Sequence, residues 1–151
     1  MADTVAFQTG HVGLNVTDLE RSLRFYEAAL GLEAVSVSED DNRRYAMLAA
    51  HGRLVLTLWQ QSEGIFETAR PGLHHLSFEV PSVEEVERAE ARVRGLGARV
   101  FYDGIVAHGE GARSGGVFFE DPDGIRLEVF TTKGLEAHAA PAGGAPACGF
   151  F

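Results

Sequence analysis

The feature that most constrains the fold is an internal repeat. In His11-Val-Gly-Leu-Asn-Val16, the apolar Val12, Leu14 and Val16 alternate with His11, Gly13 and Asn15, the period of a strand with one face covered. His75 lies 64 residues after His11, and Leu76, Phe78 and Val80 take the places of Val12, Leu14 and Val16. Thr17 and Glu20 have the spacing of a capping box before a helix expected over 18–30, with apolar stripe Leu19, Leu23, Tyr26 and Leu30 and a stop at Gly31. Ser82 and Glu85 repeat the cap, the second helix is expected to run to about residue 94, and Gly95 and Leu96 match Gly31 and Leu32. Strand, cap, helix and glycine recurring in one order point to a duplicated unit.

Each helix is followed by strand-like segments. The first set is expected at 33–38, 44–49 and 53–60, with turns at Asp40-Asp41-Asn42 and Ala50-His51-Gly52. The second is expected at 98–102, 116–120 and 125–130, with Asp121-Pro122-Asp123-Gly124 as the sharpest turn signal. The pattern is βαβββ written twice, an α+β fold. It predicts one domain over 1–133, built from modules at about 8–61 and 73–133. Residues 61–72 connect them. The alanine-, glycine- and proline-rich stretch 134–151 reads as a flexible tail in which Phe150 and Phe151 can dock.

A net charge of −9 with a single lysine, Lys133, argues against nucleic-acid backbones and acidic membrane surfaces as partners, because both require a positive footprint. The lone Cys148 permits no intrachain disulfide and no cysteine-built zinc site, which suits a reducing interior. No signal-peptide pattern opens the chain and no apolar run reaches membrane-spanning length, so the expected location is cytoplasmic.

Strand parity selects the polar candidates. His11 shares a face with Gly13 and Asn15, His75 with Ser77 and Glu79, and Glu128 with Arg126 and Phe130. A curved sheet can bring His11, His75 and Glu128 together, and two neutral imidazoles with one carboxylate suit a divalent metal, leaving positions for water or substrate. His74 is expected to face away from them. His51 falls in a turn and His138 in the tail, whereas His108 lies in a glycine-rich loop, HGEGARSGG, where it can cover a cleft. Arg113 in the same loop can pair with an anionic substrate. Trp59 is expected to face the helices, and Leu56, Leu58 and Gln60 the cleft. The loop glycines form no dinucleotide or Walker fingerprint.

The stretches HVGLNVTDLERSLRFYEAALGLE, GLHHLSFEV and FFEDPDGIRLEVF resemble the vicinal oxygen chelate superfamily, which includes glyoxalases, bleomycin-resistance proteins and extradiol dioxygenases. The resemblance implies paired βαβββ modules in a cupped, mostly antiparallel sheet with helices outside. It implies metal ligands at His11, His75 and Glu128, and a homodimer in which modules can be exchanged. Aligning Gly52 with Gly124 sets Leu56 against Glu128 in the repeat, so the glutamate of a four-ligand glyoxalase site is replaced by a side chain that can neither ligate nor take a proton.

A histidine–histidine–glutamate set resembles that of the extradiol dioxygenases. This implies a metal-dependent enzyme acting on a small oxygen-bearing substrate, with Fe(II) or Mn(II) as cofactor and Zn, Ni or Co as alternatives. His108 and Tyr102 are the candidates for an acid–base role. One alternative is a bleomycin-resistance-type protein that binds a drug or other small molecule in an apolar cleft containing Leu56, Leu58, Phe118 and Phe130. Another is a fosfomycin-type transferase or glyoxalase-like lyase. Phe118 stands at the likely position of the fosfomycin family's tyrosine, and that family's lysine is missing from the same segment.

Overall fold

The computed structural model describes residues 4–150; Phe151 lies outside them. The chain divides into two compact units, Met1–Glu63 and Gly64–Phe151. Each is a βαβββ module with its helix packed on a mixed, mostly antiparallel sheet.

In the first unit, β1 (Val12–Val16) leads into α1 (Leu19–Leu30), followed by β2 (Glu33–Ser38), β3 (Tyr45–Ala50) and β4 (Arg53–Gln60). The sheet order is β1-β4-β3-β2, with β1 parallel to β4 and the other pairs antiparallel. The helix starts one residue later than the expected capping box: Asp18 is the N-cap and accepts a hydrogen bond from Arg21 N at 3.0 Å. An aspartate serves here as well as a threonine because its carboxylate accepts the otherwise orphaned amide and complements the positive end of the helix dipole. Gly31 closes the helix with left-handed backbone (φ 65°), as its sequence position predicted. The buried stripe is Leu19, Ser22, Phe25, Tyr26 and Ala29; Leu23 and Leu30 lie at its margins.

The face of β4 differs from the expected one. Leu56 and Leu58 are fully buried, paired with Val12 and Leu14 on the side that α1 covers. Gln60 shares their parity and its Oε1 accepts the amide of Leu19 in the first helical turn at 2.8 Å. Thr57 and Trp59 therefore occupy the opposite side, with Gly13 and Asn15, and Tyr45 lies 5.1 Å from the Trp59 ring. The cause is a β-bulge. Leu48 pairs with Leu56 but Ala49 pairs with Leu54, so Val55 is an extra residue and every side chain after it changes face.

In the second unit, β5 (Leu76–Glu79) leads into α2 (Val83–Gly95), then β6 (Val106–Ala107), β7 (Gly115–Glu120) and β8 (Arg126–Thr131). The order β5-β8-β7-β6, with β5 parallel to β8, repeats that of the first unit. Ser82 caps α2, but Gly95 remains helical, Leu96 is the C-cap and Gly97 takes the left-handed conformation (φ 73°).

The strand expected at 98–102 is broken. Val100 bridges Phe119, and Phe101 N donates to Phe118 O, but Tyr102, Asp103 and Gly104 turn through positive φ before β6 resumes the edge. Positive φ at successive residues cannot continue a strand. Gly115 and Gly116 let β7 approach its neighbours closely: a Cβ on Gly116 would stand 2.2 Å from Val129 O, and one on Gly115 2.3 Å from Val106 O.

The 134–150 segment contacts the rest of the second unit at several points. Leu135 is fully buried and Ala147 nearly so, Ala107 N donates to Ala139 O, and a 3-10 turn at Ala147–Gly149 ends the described chain before Phe150. No helix is long and apolar enough to cross a membrane among the described residues.

Candidate functional site

The second unit gathers most of its chemistry around one buried carboxylate. Glu128 sits in the middle of β8, between Ser77 of β5 and Phe118 of β7 in register, and is 3% exposed. A carboxylate in such a place must be satisfied by hydrogen bonds or countercharge. Ser77 Oγ donates to its Oε2 at 2.9 Å, and His108 Nε2 meets its Oε1. The other nitrogen of His108, Nδ1, lies 2.9 Å from Ser114 Oγ. The glycine-rich loop that looked like a surface cover thus returns His108 to the buried carboxylate, with its ring 5.7 Å from Phe130 and 6.2 Å from Phe118.

His75 completes the cluster. It immediately precedes β5, as His11 immediately precedes β1, so each histidine stands at a strand mouth rather than within the pleat. Its Nε2 lies 3.8 Å from Glu128 Oε2. Its Nδ1 lies 2.7 Å from His74 Nδ1, a distance at which one imidazole donates to the other. His74 therefore sits beside His75 instead of across the sheet, because alternation does not apply ahead of the strand. Burial holds the His75 pKa below its usual value; Glu128 opposes this, while His74, Arg126 and His108 reinforce it. In the tautomer where His75 is the donor of that pair, its Nε2 presents a lone pair on the Glu128 side.

The remaining candidates are more dispersed. Phe118 is fully buried opposite Glu128 and belongs to the site wall, whereas Phe130 is half-buried against His108. Tyr102 donates its hydroxyl to Ala147 O at 2.7 Å and lies edge-on to Phe118, a structural arrangement that ties down the tail. Arg113 is exposed and pairs with Glu136 at 3.1 Å. Leu56 and Leu58 are removed from any cleft role by the bulge, which buries them under α1. His11 is exposed in the first unit, next to a face carrying Gly13, Thr57 and Trp59.

Register, rather than the turn glycines, defines the repeat position of Glu128. Ser77 pairs with Glu128 as Gly13 pairs with Thr57, so the first unit presents Thr57, not Leu56, at the equivalent place. Thr57 is 3% exposed and its hydroxyl accepts from Trp59 Nε1 at 2.9 Å. A neutral hydroxyl engaged in this way supplies no carboxylate ligand and no general base.

Sequence parity pointed to Ser77 as a neighbour of His75, but nothing in the sequence indicated that Ser114 would position His108. Among the described residues, no group of three or more His, Cys, Asp or Glu side chains is arranged to hold a metal ion. His75 and Glu128 nevertheless fit one in donor type: a neutral imidazole, and a carboxylate whose oxygens each retain a lone pair beyond their present partners.

Known proteins agree with this architecture. The chain is 28% identical over 127 residues to catechol-2,3-dioxygenase of Bacillus subtilis (strain 168), a match covering 82% of this chain and 41% of that protein. It therefore spans about two-fifths of that relative's length. It is 32% identical over 123 residues to the trivalent organoarsenical cleaving enzyme of Bacillus sp. (strain MD1), covering 82% of this chain and 72% of the relative. A crystal structure of a glyoxylase/bleomycin resistance protein/dioxygenase domain from Frankia sp. EAN1pec superposes with a TM-score of 0.72 at 27% identity, covering 85% of this chain and 94% of that one. The family model described as Glyoxalase/Bleomycin resistance protein/Dioxygenase superfamily matches residues 8–129. The chain belongs to that superfamily, the vicinal oxygen chelate proteins.

Proposed function

We propose that the protein is a metal-dependent enzyme acting on a small oxygen-bearing compound by extradiol-like dioxygenation. The observation that carries this reading is Glu128: a buried carboxylate flanked by His75, His108 and Ser77 on one sheet face. A scaffold that only sequestered an apolar compound would have no need of it, since burying a charge costs several kcal/mol unless it is compensated.

The proposed donors are His75 and Glu128 from the second unit and His11, which holds the matching place before its strand, from the first. A divalent metal, Fe(II) or Mn(II), would supply Lewis acidity and, with iron, oxygen activation. The chain's own residues do the rest. Ser77 orients the Glu128 carboxylate, and His74 Nδ1 is within hydrogen-bond reach of His75 Nδ1, where accepting its proton would leave Nε2 free to ligate. Ser114 and Glu128 engage the two ring nitrogens of His108, so this imidazole supports the carboxylate and would exchange a proton with a bound substrate only after leaving one of those partners.

The test begins with anaerobic purification and metal analysis of His11→Ala, His75→Ala and Glu128→Ala. Each variant is expected to lose at least about tenfold in metal affinity while retaining its circular dichroism spectrum. Full occupancy in all three would remove the proposal. Oxygen uptake with catechols then separates turnover from sequestration. The reading includes a homodimer, which light scattering during gel filtration tests directly.

A second reading follows from the organoarsenical relative. Trivalent arsenic is thiophilic, and Cys148 packs against the cluster that contains Phe118. Under that reading Cys148→Ser abolishes carbon–arsenic cleavage; under the dioxygenase reading it leaves catechol turnover within about twofold, as expected for a substitution that disturbs no named mechanism.

A further inference from the structure

The end of the chain enters the candidate site. The ring of Phe150 lies 5.6 Å from that of His75 and stands edge-on to Phe101 at 5.0 Å and Phe118 at 5.2 Å. The guanidinium carbon of Arg126 sits 5.0 Å from its centroid. Arg126 is 9% exposed, its Nε donates to His74 O at 3.0 Å, and it forms no ion pair among the described residues. Two phenyl rings at right angles, one tilted imidazole and a guanidinium with no ion pair among the described residues thus surround one phenyl ring. The arrangement suits a planar π system, and more so one with an anionic substituent for the cation.

The ring is delivered by a slight structure. The 3-10 turn Ala147–Gly149 is fastened by Tyr102 Oη to Ala147 O at 2.7 Å and by Ala147 N to His108 O at 3.0 Å. Phe150 itself has φ 57°, a left-handed conformation that a bulky L-residue adopts only under constraint. Gly143 (φ 106°) and Gly144 (φ 71°) lie just upstream, where the backbone turns most freely.

We propose that Phe150 is a stand-in for an aromatic ligand: the space bounded by His75, Phe101, Phe118 and Arg126 is a binding site for a planar ring carrying an anionic group, and the C-terminal turn withdraws when such a ring enters. The inference rests on the enzyme reading for the use of the site and sharpens it by naming the ligand class. Binding itself does not depend on turnover. A competing internal ring lowers apparent affinity by the fraction of time it occupies the site.

The experiment uses the full chain, treated with chelator, and benzoate as probe. Calorimetry is expected to show benzoate binding about tenfold tighter to Phe150→Ala than to the unaltered chain, because the competing occupant is gone. Cyclohexanecarboxylate, which carries the charge without the flat ring, is expected to bind at least about tenfold more weakly than benzoate. Arg126→Met is expected to erase the preference for benzoate over benzyl alcohol.

To guard against a poorly folded variant, the unaltered chain is labelled with 4-fluorophenylalanine, and the Phe150 resonance is assigned by its loss in Phe150→Leu. Saturating benzoate should move that resonance to the solvent-exposed position. Unchanged or weaker benzoate binding in Phe150→Ala, or a Phe150 resonance indifferent to benzoate, would overturn the proposal and make Phe150 a core residue. Because no metal is present, failure here leaves the metal test above untouched. Loss of that metal reading equally leaves a positive benzoate result standing.

Discussion

The two units share a scaffold and differ in what they place at its centre. On the face away from α1, the first unit sets Gly13 beside Thr57 and closes the gap with Trp59, whose indole donates to the threonine hydroxyl. At the matching register the second unit sets Ser77 beside Glu128 and surrounds the carboxylate with His75 and His108. One position is a neutral packing contact with one hydrogen bond; the other is a buried charge with three polar neighbours. A duplicated module can keep strand order, cap and parallel closing pair in both copies while concentrating ionisable chemistry in one.

The sharpest way to break the comparison is to carry the charge across. Thr57→Glu puts a carboxylate under Trp59 with Gly13 in place of a serine donor, and is expected to cost about 3 kcal/mol, the scale of an uncompensated buried charge. Urea unfolding would measure it. A loss below 1 kcal/mol would mean that the first unit can accommodate a carboxylate and that the asymmetry is not physical.

A smaller effect separates the glycines of the two sheets. Gly116→Ala drives a methyl into the backbone of β8 and is expected to cost about 2 kcal/mol, whereas Gly13→Ala meets the Thr57 hydroxyl at 3.2 Å and the Trp59 indole at ordinary contact distance and should cost under about 1 kcal/mol. Equal losses by thermal unfolding would contradict the difference in strand spacing. The smallest contrast concerns the caps. Asp18→Ala is expected to cost about 1 kcal/mol, and Ser82→Ala less, because the serine bond is 3.4 Å long against 3.0 Å for the aspartate. Denaturant midpoints resolve the two, and a larger loss at Ser82 would reverse the ranking.

Much of this molecule was legible in its residues. The repeat, both helices and five of the six later strands follow from alternation and turn chemistry, because hydrophobic burial imposes those periods directly. The strand at 98–102 failed where Tyr102 and Asp103 adopt positive φ, which neither side chain announces. His108 looked peripheral because its loop is rich in glycine, yet a loop can return a side chain to a buried partner far away in sequence. The Phe150 contacts were only partly legible: two terminal phenylalanines suggested docking, but not the cage that receives one of them.

The placement of Leu56 and Leu58 failed for a different reason. Counting from Gly52 assumes that every residue of β4 advances the pleat by one, and Val55 does not.

That single bulged residue has a consequence for how such modules diverge. In most loops an insertion or deletion lengthens or trims a connection and leaves the surfaces intact. At Val55 the same event acts as an inversion: what was sealed beneath the helix turns outward, and what looked outward is sealed. A lineage could exchange the lining of a whole strand in one step, without changing any side chain on it.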